Sequence, residues 1–116
     1  MQQYKIIVSN RAKEEMGNHV AFLANTSTSA AKKLKEELIK SIKSLAIMPT
    51  RYGFINDEYI TPNKYHKMLV ATRYLIIYQI KDDMVYVDYI IDCRQDYQWL
   101  LYYDYCTLGC FFIFKI

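Results

Sequence analysis

The sequence predicts an α+β domain of two layers, a pair of helices packed on one face of a mostly antiparallel sheet. Three observations predict it: a strand-length apolar run at residues 4–8, two consecutive stretches of helical apolar spacing after it, and a change to a period of two from Tyr65 onward. At 116 residues the chain has room for one such core and not for a second. An apolar share of 53% with twelve tyrosines belongs to a folded chain, because disorder needs low hydrophobicity and high net charge.

The first element is "YKIIV", residues 4–8, rich in β-branched side chains that suit a strand. Ser9 and Asn10 follow, both good helix caps, so the strand hands directly to a helix. In that helix Ala12, Met16, Val20 and Leu23 recur at helical spacing around Gly17. The polar turn "NTSTS", residues 25–29, holds several further caps. After it Ala31, Leu34, Leu38, Ile42 and Leu45 repeat at intervals of three and four, the strongest helical pattern in the chain, and Pro49 stops it. Two amphipathic helices joined by a short loop form an αα-hairpin whose apolar face needs a cover.

Residues 50–63, "TRYGFINDEYITPN", read as an irregular surface loop. "YHKMLVA", "YLIIYQI" and "MVYVDYII" are then three strands, joined through Thr72-Arg73 and Lys81-Asp82-Asp83. Connections that short enforce an antiparallel meander. A short C-terminal helix is expected from about Gln95 to Tyr102. The expected domain therefore covers residues 1–101. Residues 102–116, ending in "CFFIFKI", form an apolar C-terminal extension, too short to span a bilayer, that packs as an added strand or tail, meets a partner or second copy, or is a tail with no evolved role.

The net charge of +3 is uneven: residues 1–62 hold nine Lys/Arg against six Asp/Glu, and residues 63–116 hold six of each. That surplus permits an acidic partner, although lysines on a helix face are ordinarily just solvated. Cys93, Cys106 and Cys110 make no CxxC pair and have no nearby histidine, which argues against zinc. An odd count without a signal segment fits a cytoplasmic protein. No cofactor or metal motif is present, and no membrane partner is expected.

Chemistry is best sought where a strand ends in a loop. "DYIIDCRQDYQWLL", residues 88–101, places Arg94, Asp96 and Tyr97 at such a junction, with Asp96 suited to cap or pair locally. His66, with Lys67 beside it, is either a polar strand residue or an imidazole for proton transfer near neutrality. His19 reads as an ordinary helix residue.

The order and spacing of these segments resemble the RelE/ParE superfamily of toxins from bacterial type II toxin-antitoxin modules, in which plasmid stabilisation is one setting. The resemblance covers residues 3–101. It rests on "YKIIVSNRAKEEM", the helical hairpin, "YHKMLVATRYLIIYQI" and the "YIIDCRQDYQWLL" ending. It implies one of two activities. One branch cleaves mRNA on the ribosome, which needs a base, an acid and cations for the pentacoordinate phosphate. The ParE-like branch binds DNA gyrase and needs no bond chemistry of its own.

The resemblance places Leu75 where the nucleases carry an arginine, Leu100 where they carry a tyrosine, and His66 and Met68 where they carry lysines. These differences favour the ParE-like, non-enzymatic reading. The alternative is an endoribonuclease with a nonstandard site made of His66, Lys67, Arg94 and Tyr97. In either branch a cognate antitoxin is the implied partner, laid along the hairpin or sheet with Arg73, Arg94, Leu38 and Ile42 as contacts. The resemblance also allows a homodimer.

Overall fold

The computed structural model describes residues 3–55 and 61–93. Within them the chain forms β1 (Lys5–Val8), α1 (Asn10–Ala24), α2 (Thr28–Ser44), a short 3-10 turn (Pro49–Arg51), β2 (His66–Val70), β3 (Tyr74–Lys81) and β4 (Met84–Asp92). This is the α+β arrangement expected, and the strand order is β1-β4-β3-β2. β2, β3 and β4 are an antiparallel meander, while β1 returns beside β4 in parallel, from Lys5 opposite Met84 to Val8 opposite Val87. The expected helix at about 95–102 and the extension at 102–116 lie outside the described residues.

Both helices begin where the sequence offers a cap. Ser9 Oγ accepts the Ala12 amide at 2.9 Å and Ser27 Oγ accepts the Ala30 amide at 3.1 Å, each satisfying one of the donors a helix start leaves open. Ser9 Oγ also donates to the Asp88 carbonyl at 3.0 Å, tying the β1–α1 junction to β4. The apolar stripe of α2, Ala31, Leu34, Leu38 and Ile42, is buried against the sheet. Met68, Val70, Tyr74, Ile76, Tyr78, Val85, Val87 and Ile90 meet it from the strands. A fully buried leucine or isoleucine of this kind contributes roughly 1.5–3 kcal/mol, and the stripe fastens the layers together with the α1 face that packs on β4.

The stretch after α2 is less irregular than its composition suggests. Arg51 folds back over the helix end, its guanidinium donating to the carbonyls of Ser44, Ile47 and Met48 and to Ser44 Oγ. A cation there also opposes the negative end of the helix dipole. Tyr78 Oη donates to the Pro49 carbonyl at 2.6 Å, and burial pushes its phenol up to about 12, so it remains a donor. Residues 53–55 then run antiparallel to the start of β2: the Ile55 amide bonds the Tyr65 carbonyl, and the Lys67 amide bonds the Gly53 carbonyl.

β4 carries a bulge. Its pairing with β3 passes from Val87 opposite Tyr78 to Tyr89 opposite Ile77, leaving Asp88 as an extra residue. The bulge coincides with the end of β1, whose last partner is Val87. Beyond it β4 has no neighbouring strand on that side among the described residues.

Candidate partner-binding site

Past the bulge, α1 does what β1 no longer can. Glu15 accepts the Ile90 amide through Oε1 at 2.8 Å, and His19 Nε2 donates to the Ile90 carbonyl, also at 2.8 Å. A backbone amide and carbonyl of a buried residue need partners, and two side chains one helical turn apart supply both. Burial raises the Glu15 carboxyl to about 7; the Ile90 amide and Arg11 pull it down, and Glu14 pushes it up. Because a carbonyl only accepts, the His19 proton sits on Nε2.

The other end of the same strand pair holds Arg73. It follows a tight turn in which Ala71 and Thr72 both take left-handed backbone conformations, at φ 54° and 58°, closed by the Arg73 amide on the Val70 carbonyl. Two positive values in succession describe the hairpin turn that normally selects Asn-Gly. Arg73 Nε lies 3.5 Å from Asp92 Oδ2, and the guanidinium sits over the Tyr74 ring at 5.2 Å. Asp92 is a buried acid next to the junction that leads to Arg94.

His66 is a core residue. It is 6% exposed, its Nδ1–H donates to the Tyr52 carbonyl at 2.7 Å, and its ring stacks on Tyr78 and tilts against Phe54. Lys67, the next residue on the strand, is exposed on the opposite face, because successive strand side chains alternate. The structure therefore does not bring His66 and Lys67 together, and a phosphate held by one is out of reach of the other. Of the nonstandard catalytic set, His66 and Lys67 thus stand on opposite faces of β2, while Arg94 and Tyr97 lie outside the described residues.

Two of the expected partner contacts, Leu38 and Ile42, lie inside the core. Leu38 is 0% and Ile42 7% exposed, consumed by the protein's own sheet, so neither is offered to another chain. The reason is that an apolar helical stripe has one use at a time, and the meander takes it. What α2 presents outward is charge: Lys32, Lys33, Lys40 and Lys43 are exposed with Glu36 among them. α2 holds five lysines against two glutamates, which equals the net charge of the whole chain; the remaining residues hold ten of each sign.

Two concavities flank these features. One of about 690 Å³ lies on the sheet face away from the helices, lined by Ile7, Lys64, Gln79, Lys81, Tyr86 and Asp88, with Gln79 Nε2 donating to Asp88 Oδ2 at 2.6 Å. Lys64 and Lys81 are offset there by Asp88 and by the Asp82-Asp83 turn beyond β3. The other, of about 220 Å³, lies where α1, α2 and the Ala71-Thr72 turn meet, and Arg73 and Lys33 are among its walls. Glu15 and the bulge at Asp88 were not singled out from sequence; an acidic residue beside other charges in a helix gives no signal of a bond 75 residues away. Among the described residues no group of three His, Cys, Asp or Glu side chains is placed to hold a metal ion, and no helix is long and apolar enough to cross a membrane.

A family model described as the ParE toxin of the type II toxin-antitoxin system, parDE, matches residues 6–97, most of the chain. No curated protein matches significantly by sequence. Among solved structures, a chain from the "Chromosomal ParDE TA system from P. aeruginosa" superposes with a TM-score of 0.64, covering 78% of this chain and 96% of that one at 10% identity. That likeness is one of fold.

Proposed function

Because the chain belongs to the ParE toxin family of type II toxin-antitoxin systems, we propose that it acts in the cytoplasm by binding DNA gyrase and is neutralised by a cognate antitoxin. The observation that carries this reading is the family match over residues 6–97. The geometry agrees with an interaction protein in place of a nuclease. His66 is stacked and hydrogen-bonded in the core with Lys67 on the other face, and Leu75 stands where nuclease relatives keep an arginine. A leucine gives a phosphate oxygen no donor.

On this reading Arg73 and Arg94 are contact residues and no bond is made or broken by the toxin itself. The test is a gyrase supercoiling and DNA-cleavage assay with the purified protein, paired with a translating extract probed for cut mRNA. Loss of supercoiling with linear DNA accumulating, and mRNA left whole, is the expected result. Cut mRNA with gyrase unaffected overturns it.

A further inference from the structure

We infer that a cleft between the loop after α2 and the start of β2 is a binding site for a free heteroaromatic small molecule of the indole class, held between aromatic walls with its ring N–H donated to His66 Nε2. The site is separate from the residues weighed above as partner contacts, and the inference stands without the gyrase reading.

The local pairing builds the walls. Residues 53–55 run beside the start of β2 with Phe54 opposite His66, which brings Tyr52 and Phe54 of the loop next to His66 of the strand. These three rings and Ile80 of β3 line a concavity of about 360 Å³. That lies within the ~300–1,000 Å³ of small-molecule sites, in which apolar and aromatic walls carry a few placed polar groups. Phe54 keeps 43% of its surface exposed, so a large apolar ring in this wall is still open to an occupant. Gly53, also in the wall, adds no side chain, and a Cβ there would meet no atom within 4 Å.

One polar atom decides the ligand. His66 Nδ1–H donates to the Tyr52 carbonyl at 2.7 Å, which leaves Nε2 with a lone pair, an acceptor in the neutral ring. Nε2 takes no hydrogen bond from the described residues and is open to solvent. Phe54 and Tyr78 lie against the ring itself, with centroids at 4.1 and 5.2 Å, so an occupant meets the imidazole at its edge. A lone acceptor among aromatic walls matches a flat ring that carries a single N–H and is apolar elsewhere. An indole fits that description. A nucleobase places ring-nitrogen acceptors beside its donors, and aromatic walls would strip their water without returning bonds. A carboxylate or phosphate has no proton to give Nε2. Thr50, Asn63 and Lys64 complete the lining and suit a short polar substituent on the ring.

The test titrates indole and 1-methylindole into isotope-labelled full-length protein, followed by NMR. Indole is expected to shift the Gly53, Phe54 and Ile80 amides and the His66 Nε2 resonance. 1-Methylindole, which has the ring but no N–H, should bind about three- to tenfold more weakly and leave Nε2 unmoved. Phe54→Ala, at a partly exposed ring, should weaken indole by about three- to tenfold with the fold intact. His66→Phe keeps an aromatic ring and removes the acceptor, so the two ligands should bind it equally; should that variant unfold, the Nε2 shift and Phe54→Ala still decide. Equal binding of indole and 1-methylindole to the parent, shifts confined to another face, an unmoved Nε2, no effect of Phe54→Ala, or no saturation up to the solubility of indole overturns the inference. A tryptophan-bearing peptide that binds the cleft more tightly than indole also overturns it, because the occupant is then a protein side chain.

Discussion

Glu15 and His19, one helical turn apart on α1, hold the amide and carbonyl of a single residue, Ile90, each at 2.8 Å. Side chains here replace a strand. β1 stops at Val8, the Asp88 bulge turns β4 past it, and the pair satisfies both backbone groups of a buried residue that has no strand partner on that side among the described residues.

The Glu15 carboxyl makes that closure depend on pH. Its folded value of about 7 lies above the ordinary 4.5, so between those values the folded chain keeps a proton that the unfolded chain has lost. Stability from this group is therefore greatest below about pH 4.5, falls as pH rises to about 7, and is level above that. The charged and titratable groups that act on it are Arg11 and Glu14 on α1 and Tyr89 on β4. Glu15→Gln keeps an acceptor for the Ile90 amide and has nothing to titrate. It should be more stable than the parent at pH 8, on the order of 1–2 kcal/mol after discounting for solvent screening, and no more stable at pH 4. Urea melts of both proteins across that range check it; parallel pH profiles would show that another group is responsible.

The Ala71-Thr72 turn should respond in the opposite sense to most mutations. Thr72→Gly removes a Cβ from a left-handed position, and Ala71→Asn places a tolerant residue in the other. Each is expected to raise stability by about 0.5–1 kcal/mol, read as a higher denaturation midpoint at unchanged slope. A loss of stability in both would mean that the turn is not strained as its dihedral angles imply.

Arg51 closes the end of α2 through three carbonyls and a hydroxyl, and its guanidinium also covers the Tyr52 ring at 4.8 Å. Arg51→Ala leaves those carbonyls to water, with a cost of about 1–2 kcal/mol. Arg51→Lys should recover less than half of it, because an ammonium cannot span the same fork. Equilibrium denaturation of the three proteins decides it, and full recovery by lysine would reduce the contact to charge alone.

Much of the fold was legible because its signals are local. Ser9 and Ser27 as caps, the Leu34–Leu38–Ile42 spacing and the alternation in "YLIIYQI" each follow from a few neighbouring residues, and each element is where they place it. What was not legible depends on pairing across the chain. Nothing in "MVYVDYII" marks Asp88 as an extra residue, since the register that makes it one is set by β3 and by the end of β1. Glu15 and His19 acquire their role from that same bulge. Leu38 and Ile42 were legible as apolar, but apolarity does not say which surface covers them; the sheet does. His66 looked chemical for its residue type, and only its bond to Tyr52 and its stacking on Tyr78 show an imidazole used as a core aromatic.

His66 gives the sharpest separation of the two activities open to the family. As a core residue it should behave in proportion to folding: His66→Ala removes a stacked ring and leaves the Tyr52 carbonyl without its donor, a cost of roughly 2–4 kcal/mol. His66→Asn keeps a short donor without the ring and should fall between. Toxicity in cells would then follow the folded fraction measured for each variant, and gyrase inhibition per folded molecule would stay at the parent level. Any variant that is folded as well as the parent yet has lost its toxicity would return His66 to a chemical role, and with it the nuclease reading.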